Sequence, residues 1–306
     1  MSSSVLTPSA GTRSSSTVTH TPSGATLAQV LATATAVLEA ADVPSPKVDA
    51  ELLAAHVLGV SRGRLATMVM LGESFSESDA PAFAQLIASR AKRIPLQHLT
   101  QVAYFRYLDL FVGPGVFVPR PETESVVQLA IDVAATLTNP LMVDLGTGSG
   151  AIAGSLAHEV PGAQVYAVEL SEQAYAYAAR NLEPLGVTLV RGDLTDALPE
   201  LDGRCDVVVS NPPYIPANAV PREPEARDHD PAMALYGGGE DGMVLPRAAA
   251  ASAARLLHPG GYFVMEHAEV QAPAMAAMFR ATGHWENVKT HQDLNGRDRA
   301  TSGVRR

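Results

Sequence analysis

The stretch Leu141-Met142-Val143-Asp144-Leu145-Gly146-Thr147-Gly148-Ser149-Gly150 decides the fold that this sequence predicts. Its first four residues form a short apolar run ending in a carboxylate, which is typical of a buried strand. A helix is predicted from Ala151, so the three glycines occupy a turn between a strand and a helix. Such turns let the backbone approach a nucleotide or nucleoside, because glycine has no Cβ to block the ligand. The glycine turn is therefore a candidate cofactor loop.

Strands and helices alternate regularly from Leu141 to the C-terminus. Further strands are predicted at residues 164–168, 187–190, 206–210 and 260–266, with a closing pair at residues 286–291 and 300–305. This alternation indicates an α/β fold with a doubly wound, mostly parallel sheet. The second strand ends at Glu169, whose carboxylate is well placed to bind two ribose hydroxyls. Asp144 is expected to face a cationic part of the ligand, directly or through water.

A second feature, Asn211-Pro212-Pro213-Tyr214, follows the apolar run Asp206–Ser210. Two consecutive prolines end a strand at once, because they have no N–H for the ladder and fix φ at about −65°. The carboxyl end of a strand is where open α/β sheets bind ligands. Asn211 supplies a side-chain carbonyl acceptor, and Tyr214 supplies an aromatic face with a polar tip. The corner suits a planar amide or amino group, although Asn-Pro is also ordinary turn chemistry.

Two cofactors suit the glycine turn and Glu169. A nicotinamide dinucleotide would place its pyrophosphate at the helix N-terminus and present a hydride to a substrate. S-adenosylmethionine has no phosphate, and its sulfonium and amino groups favour acidic neighbours. The Asn-Pro-Pro-Tyr corner has no use in hydride transfer but fits an amino group that accepts a methyl group. S-adenosylmethionine is therefore the predicted cofactor.

The N-terminal part of the chain has two predicted segments. Residues 1–24 are rich in Ser and Thr and are expected to form a disordered tail. Residues 25–94 carry apolar side chains at three- and four-residue steps, with Ser45-Pro46 opening one helix and Gly59 near its end. These residues predict a small all-helical domain, interpreted either as a partner-docking or lid domain or as a purely structural bundle.

Residues 95–120 are predicted to form a β-hairpin that links the helical domain to the α/β domain of residues 121–306. Gly113-Pro114-Gly115 is expected to be the turn of the hairpin, and Val116-Phe117-Val118 its returning strand.

Composition excludes several classes of function. The 306 residues carry a formal net charge of −10, and no dense basic patch is present to bind a nucleic-acid backbone. The single cysteine, Cys205, excludes an internal disulfide and a cysteine-cluster zinc site. The histidines and carboxylates show no metal-ligand spacing, so no metal is predicted. Without a secretory signal or a transmembrane run, a soluble, cytoplasmic protein is expected.

The glycine turn, with Asp144 and Leu145 before it, and the corner Asn211-Pro212-Pro213-Tyr214-Ile215 together resemble the HemK/PrmC family, the protein-glutamine methyltransferases of peptide chain release factors. The resemblance runs from near residue 27 to the C-terminus. Its further matching segments are Pro95-Leu96-Gln97, residues 114–124, Gly237-Gly238, Pro259-Gly260-Gly261, Glu266-His267 and residues 293–299. Within them, Pro119-Arg120-Pro121-Glu122-Thr123-Glu124 separates this family from other Asn-Pro-Pro-Tyr enzymes.

The resemblance implies a class I (Rossmann-like) S-adenosylmethionine-dependent methyltransferase with a seven-stranded, mostly parallel sheet. Its helical N-terminal domain would help to engage a class 1 release factor, and the enzyme would be a monomer without direct contact to nucleic acid or membrane. The implied cofactor-binding residues are Asp144, Gly146, Thr147, Gly148, Ser149, Gly150, Glu169, Leu194 (in the adenine pocket) and Asn211. The implied binding residues for the glutamine of the release factor's Gly-Gly-Gln motif are Asn211, Pro212, Pro213 and Tyr214.

The same corner suggests a mechanism. The Asn211 side-chain oxygen and the Pro212 carbonyl would accept both amide hydrogens of the glutamine, which would aim its nitrogen at the methyl group. Tyr214 would stack on the amide plane. Asn211, Pro212 and Tyr214 are therefore the predicted catalytic residues.

Four positions depart from the family pattern. Gln101 and Tyr107 stand where the family usually has glycine, and both fall in the predicted hairpin. Glu169 replaces the commoner Asp, and Asp230 replaces the usual Glu before Pro231. The turn geometry of the hairpin and its partner contacts are therefore open.

Three other functions stay open. An N6-adenine or N4-cytosine nucleic-acid methyltransferase uses the same type of corner, but the net charge and the missing basic domain argue against it. A non-catalytic binding protein is disfavoured by the intact glycines, Glu169 and Asn211. A small-molecule amine methyltransferase is compatible with the corner, particularly beside an altered hairpin.

Overall fold

A computed structural model describes residues 25–306 of the chain. The tail predicted for residues 1–24 lies outside the described residues. The chain divides into two compact units, the first ending at Lys92 and the second running from Arg93 to Arg306.

The described part of the first unit is all-helical. Its helices are α1 (Leu27–Ala40), α2 (Pro46–Leu58), α3 (Arg62–Met70) and α4 (Ala80–Ala91). Helix α1 begins with a capping box, in which the Thr26 hydroxyl accepts from the Gln29 N–H and the Gln29 side chain accepts from the Thr26 N–H. Its apolar residues at three- and four-residue steps are the buried ones, as the sequence predicts: Leu27, Val30, Ala34 and Leu38.

Helix α2 has the predicted ends and is tied to α4. Pro46 is its first residue, and Gly59 ends it in the left-handed conformation that glycine adopts without strain. Asp49 of α2 and Arg90 of α4 form a buried ion pair at 2.7 Å. Removing one partner of such a pair would leave an uncompensated buried charge, so the pair fixes how the two helices pack.

The second unit contains a small hairpin followed by an α/β domain. Its elements before the glycine turn are α5 (Leu96–Thr100), β1 (Val102–Phe105), β2 (Leu108–Phe111), α6 (Thr123–Ala134) and β3 (Leu141–Leu145). Those up to the Asn-Pro-Pro-Tyr corner are α7 (Ala151–Glu159), β4 (Gln164–Glu169), α8 (Glu172–Leu182), β5 (Thr188–Arg191) and β6 (Cys205–Ser210). The remaining ones are α9 (Pro224–His229), α10 (Ala232–Leu235), α11 (Val244–Leu256), β7 (Leu257–Glu266), α12 (Ala272–Ala281), β8 (Trp285–Gln292) and β9 (Asp298–Arg305).

The large sheet has the strand order β5-β4-β3-β6-β7-β9-β8. Strands β3 to β7 pair in parallel, and β9 pairs antiparallel with β7 and β8. The seven-stranded, mostly parallel sheet confirms the predicted fold. From β3 the chain proceeds first to β4 and β5 on one side and then to β6 on the other. The carboxyl ends of β3 and β6 therefore lie side by side, where open α/β sheets bind ligands.

The hairpin is present, but its predicted turn is wrong. Strand β1 pairs antiparallel with β2, which places Arg106 and Tyr107 in the turn. Gly113-Pro114-Gly115 follows the hairpin, and Val116-Phe117-Val118 lies in a segment without strand pairing. Arg106 adopts a positive φ of 52°, and its guanidinium binds the Glu159 carboxylate with distances of 2.5 and 2.7 Å. Contacts distant in sequence therefore stabilise a turn that has no local turn signal.

The sheet has an apolar core on each face. Alternate residues of a strand point to opposite faces, so Met142 packs in one core and Val143 in the other. Residues of α6, α7 and α8 cover the first face, and residues of α11 and α12 cover the second. The second core includes the packed rings of Phe263, Phe279 and Trp285. The two layers of helices hold the ends of the central strands in place.

Candidate active site

The glycine turn after β3 leaves open space above its backbone. Gly146 and Gly148 have φ of +80° and +59°, and a Cβ on either residue would meet no atom within 4 Å. Gly150 has a different role, because a Cβ there would lie 2.8 Å from the Leu182 side chain of α8. The first two glycines thus leave open space beside their backbone, whereas the third allows the turn and α8 to pack closely.

Through its side chain, Asp144 accepts hydrogen bonds from the glycine turn and from the start of α7. Its side chain is fully buried, and one oxygen accepts from the Thr147 hydroxyl at 2.6 Å and the Ala153 N–H at 3.1 Å. Burial raises the pKa of Asp144 to about 7, and these two hydrogen bonds oppose the rise. One oxygen of Asp144 thus supports the turn, and the expectation that this residue faces the ligand stays a prediction. Asp144 therefore joins the turn and the start of α7 to the end of β3.

Glu169 lies at the end of β4 beside the glycine turn. Its carboxylate accepts from the Gly148 N–H at 2.8 Å and the Ser171 N–H at 2.7 Å, one bond to each oxygen. Burial raises the pKa of Glu169, and backbone hydrogen bonds from Ser171, Gly148 and Leu170 oppose the rise. Each carboxylate oxygen has a second lone pair, so Glu169 can still accept hydrogen bonds from a ligand. Leu194, after β5, is half-buried and adds apolar surface to the core on this side of the sheet.

The Asn211-Pro212-Pro213-Tyr214 corner follows β6 directly. Strand β6 pairs with β3 so that Ser210 lies opposite Leu145, and the Ser210 hydroxyl donates to the Leu145 carbonyl at 2.7 Å. The corner and the glycine turn therefore begin at the same level of neighbouring strands. Pro212 is buried, whereas Asn211, Pro213 and Tyr214 are half-buried. The corner is a stiff edge of an open site.

Several contacts hold the outer side of the corner. The Gln271 side chain donates to the Tyr214 carbonyl at 2.8 Å. Gly237 packs so closely that a Cβ there would lie 2.6 Å from the Pro213 carbonyl oxygen. Gly237-Gly238 is one of the segments that resemble the family. Gly237 is glycine because two backbone segments approach each other closely there.

Sequence reasoning missed the contacts of Thr123 and left the role of Glu266 open. The Asn211 side-chain amide donates to the Thr123 hydroxyl at 3.4 Å, and the Tyr214 hydroxyl donates to the Glu266 carboxylate at 3.5 Å. Burial raises the pKa of Glu266 to about 7, and a hydrogen bond from Thr123 and the charge of Arg299 oppose the rise. The signal available in the sequence was the Pro-Arg-Pro-Glu-Thr-Glu stretch, which contains Thr123.

His267, the neighbour of Glu266, has a structural role. It is fully buried, and its Nε2 lies 2.9 Å from the Thr301 hydroxyl while its Nδ1 lies 3.0 Å from the Ala268 carbonyl. Burial lowers the pKa of His267. The ring therefore links β7 to β9 as a neutral hydrogen-bonding group.

Two arginines tie the segment after the corner to the chain before α6. Arg93 binds the Glu225 carboxylate of α9 at 2.8 and 2.7 Å. Arg120 binds the buried Asp230 carboxylate at 2.5 Å. Burial raises the pKa of Asp230 to about 6, and the charge of Arg120 opposes the rise. Asp230, one of the departures from the family pattern, therefore keeps an ion pair in this second unit.

The structure offers no metal site and no membrane span within its described residues. Among residues 25–306, no three His, Cys, Asp or Glu side chains are grouped so that they could hold a metal ion. Over the same range, no helix has both the length and the apolar character needed to cross a membrane.

Comparisons with known proteins cover most of the chain. Residues 29–100 match the PrmC N-terminal domain model, and residues 142–222 match a methyltransferase domain model. A release factor glutamine methyltransferase from Streptomyces coelicolor is 52% identical, covering 89% of this chain and 95% of the relative. One from Mycolicibacterium smegmatis is 49% identical over the same shares. A 4-amino-L-phenylalanine/4-methylamino-L-phenylalanine methyltransferase from Streptomyces pristinaespiralis is 40% identical, covering 90% of this chain and 94% of the relative.

Proposed function

The chain belongs to the release factor glutamine methyltransferase family, and we propose that it methylates the side-chain amide nitrogen of the glutamine in the Gly-Gly-Gln motif of a class 1 peptide chain release factor. The observation that carries the proposal is the position of Asn211-Pro212-Pro213-Tyr214 beside the glycine turn, on the paired strands β3 and β6. One feature suits a methyl donor, and the other suits an amide that accepts the methyl group.

The site fits S-adenosylmethionine, which when bound supplies an electrophilic methyl group on a sulfonium and leaves as S-adenosylhomocysteine. The open space above Gly146 and Gly148 is the volume that side chains would otherwise fill. Glu169 keeps free lone pairs for a ribose diol. The same turn residues, Gly146 to Gly150, would contact the nucleoside, with Leu194 against the adenine.

The corner can both orient and activate an amide. An amide nitrogen is a poor nucleophile, because its lone pair is delocalised into the carbonyl group. The Asn211 Oδ1 and the Pro212 carbonyl would accept its two hydrogens and stabilise the positive charge that develops on the nitrogen. Burial raises the pKa of Tyr214, so its ring stays neutral and is suited to stack on the amide plane.

A free aromatic amine is the second candidate acceptor. It is favoured by the relative that acts on 4-amino-L-phenylalanine, which matches this chain over both units. The corner would accept an aromatic amino group with the same two oxygens. The release factor is the preferred acceptor, because the two release factor enzymes are 52% and 49% identical to this chain and the amine enzyme is 40% identical.

The two acceptors can be compared in one experiment. The purified enzyme and methyl-labelled S-adenosylmethionine are incubated with a class 1 release factor and, separately, with 4-amino-L-phenylalanine. We expect label in the release factor and none in the free amine. Label in the amine alone would contradict the proposed acceptor and support the second candidate.

Two subsidiary proposals follow from the acceptor. A release factor acts in translation, so we place the enzyme in the cytoplasm, with no membrane or nucleic acid as a direct partner. The active site is built from one chain, so we propose that a monomer is active. Light scattering during turnover measures its mass, and activity confined to a dimer would contradict this proposal.

A further inference from the structure

A cavity of about 370 Å³ lies beside the start of α6, at the end of the sheet where the Asn-Pro-Pro-Tyr corner lies. Its lining comes from three separate segments, which are the start of α6 with the residues before it, the hairpin turn at Arg106, and the turn between β8 and β9. Its volume is at the small end of the range of about 300–1,000 Å³ for ligand pockets. A cavity of this size suits a short stretch of peptide.

The strand order places this cavity on one side of the corner and the glycine turn on the other. Strand β6, which leads to Asn211, lies between β3 and β7 in the sheet. The glycine turn follows β3, whereas the turn between β8 and β9 adjoins the end of β7, because Ala300 of β9 pairs with Glu266. A methyl donor on the glycine turn would therefore leave the cavity open to the acceptor molecule.

The cavity is also close to the corner. Glu122 lines the cavity, and the hydroxyl of the next residue, Thr123, accepts from the Asn211 side chain at 3.4 Å. Strands β6 and β9 are two places apart in the sheet, which is about 10 Å. An extended chain advances about 3.3 Å per residue. A peptide with its glutamine at Asn211 would therefore reach the cavity about three residues away.

The apolar part of the lining includes Leu294, in the turn between β8 and β9. The side chain of Leu294 is fully exposed. The backbone of its turn is fixed, because the Asp293 carboxylate accepts from the N–H groups of Asn295 and Arg297 at 2.9 and 3.1 Å. Leu129, half-buried on α6, adds apolar surface to the same cavity. An apolar side chain of a partner would be buried here with little ordering of the enzyme.

The polar part of the lining is acidic. Within residues 25–306, the Glu122 carboxylate has no hydrogen-bond or ion-pair partner. Glu124 accepts from the Arg106 backbone N–H at 3.1 Å, whereas the Arg106 guanidinium binds Glu159. The charge left without a partner in the cavity is therefore negative, and it favours a cationic group in the occupant.

We propose that this cavity binds the release factor about three residues from its acceptor glutamine, with an apolar side chain against Leu294 and a basic side chain at Glu122. The inference rests on the proposed function, because it describes how the same acceptor is held. A free amine of amino-acid size would fill the corner without reaching the cavity. The cavity therefore gives the enzyme a means to select a protein over a free amino acid.

The main test measures binding to a class 1 release factor that carries Ala for the acceptor Gln. This factor cannot place an amide in the corner, so its affinity reports the contacts outside the corner. Leu294→Ser is expected to raise its Kd about tenfold. Leu137→Ser is the matched control, because Leu137 is also exposed but lies beyond the other end of α6, and its Kd should stay within about twofold of the wild type. Isothermal titration calorimetry compares the three proteins.

Glu122→Gln tests the charge of the occupant. We expect this variant to raise the Kd for the same factor about threefold or more at low salt. The difference from the wild type should shrink as salt is added, because salt screens the interaction. Glu286→Gln is the control, since Glu286 is exposed near the start of β8, at the other end of that strand. An unchanged Kd in Glu122→Gln would contradict the basic side chain.

Kinetics separate a docking contact from a catalytic one. A peptide that extends about two residues on either side of the glutamine does not reach the cavity. With this peptide, Leu294→Ser should keep kcat/KM within about twofold of the wild type. With the Gln form of the release factor, the variant should lower kcat/KM about tenfold through a raised KM. Equal losses with both acceptors would contradict the inference.

The combined outcomes distinguish this inference from the proposed function. Methylation of the release factor, with equal Kd values for Leu294→Ser and the wild type, contradicts the inference alone. Weaker binding by Leu294→Ser, without methylation of the factor by any form of the enzyme, contradicts the proposed function alone. A lower mass of Leu294→Ser in sedimentation, with unchanged affinity for the factor, would assign the cavity to a second copy of the chain and overturn the inference.

Discussion

The Gly148 N–H donates a hydrogen bond of 2.8 Å to the Glu169 carboxylate. This bond joins the glycine turn after β3 to the end of β4, and we propose two roles for Glu169. The carboxylate fixes the backbone of the turn, and its remaining lone pairs are available to ribose hydroxyls. Cofactor affinity should therefore depend on Glu169 through both the shape of the turn and direct contact.

Glu169→Ala should raise the Kd for S-adenosylmethionine about tenfold or more, because a charged acceptor of several hydrogen bonds is lost. Glu172→Ala is the control, since Glu172 lies nearby at the start of α8 and forms an exposed ion pair with Arg191 at 3.3 Å. Isothermal titration calorimetry measures both. Equal affinities of Glu169→Ala and the wild type for S-adenosylmethionine would show that Glu169 does not contribute to cofactor binding.

Asn211→Ala should separate catalysis from cofactor binding. The variant loses an acceptor that is used as charge develops on the amide nitrogen, so we expect kcat to fall about 100-fold or more. The cofactor Kd should change by less than about threefold. Steady-state kinetics and calorimetry test the two parts, with Asn218→Ala in the exposed loop as the control. Parallel losses in both quantities would show that Asn211 chiefly binds the cofactor.

The buried Asp144 carboxyl should make stability depend on pH. Burial raises its pKa from 3.8 to about 7, with Thr147 and Ala153 opposing the rise and the Glu169 charge adding to it. Its contribution is fully present below pH 4 or so and is lost as the pH rises through about 7, because the unfolded chain gives up the proton more readily. Asp144→Asn removes this dependence, so the variant should gain stability relative to the wild type between pH 5 and pH 8 or so.

Urea denaturation of Asp144→Asn and of the wild type, at about pH 5 and at about pH 8, measures the difference in their free energies of unfolding. The fixed cost of burying an extra amide group is the same at each pH and cancels in the comparison. A stability difference between Asp144→Asn and the wild type that stays constant with pH would contradict the raised pKa.

Gln101→Gly should stabilise the protein. Gln101 ends α5 in the left-handed conformation, with φ of 60° and ψ of 19°, and its side chain is exposed. Glycine adopts this conformation without strain, so we expect a gain of about 0.5–1 kcal/mol. Gln97→Gly, inside the same helix, is the matched control and should destabilise by about 0.5–1 kcal/mol. A loss of stability in Gln101→Gly, measured by denaturant unfolding, would contradict this account of the departure from the family pattern.

The sequence predicts the parallel strands of the sheet and their ends well, because these strands are apolar runs that end near glycine, proline or a carboxylate. Glu169 and Asn211 could be named from those ends alone. The hairpin turn was not predictable, because Arg106 reaches its positive φ with the support of Glu159, which belongs to α7. Gly113-Pro114-Gly115 is a strong turn signal, but it lies after the paired strands β1 and β2.

Contacts that join distant parts of the chain were also beyond sequence reasoning. Thr123 and Asn211 are 88 residues apart, and no periodic pattern links a helix start to a strand end. The full burial of Asp144 depends on how α7 packs over the strand, which the local sequence does not encode.

The central claim is that the corner holds a glutamine amide of a release factor. Its most direct test is transfer of labelled methyl from S-adenosylmethionine to a purified class 1 release factor, compared with the same factor carrying Ala for Gln in its Gly-Gly-Gln motif. The account predicts label in the Gln form, mapped to the peptide that contains the motif, and none in the Ala form. No label in the Gln form, or equal label in both forms, would contradict it.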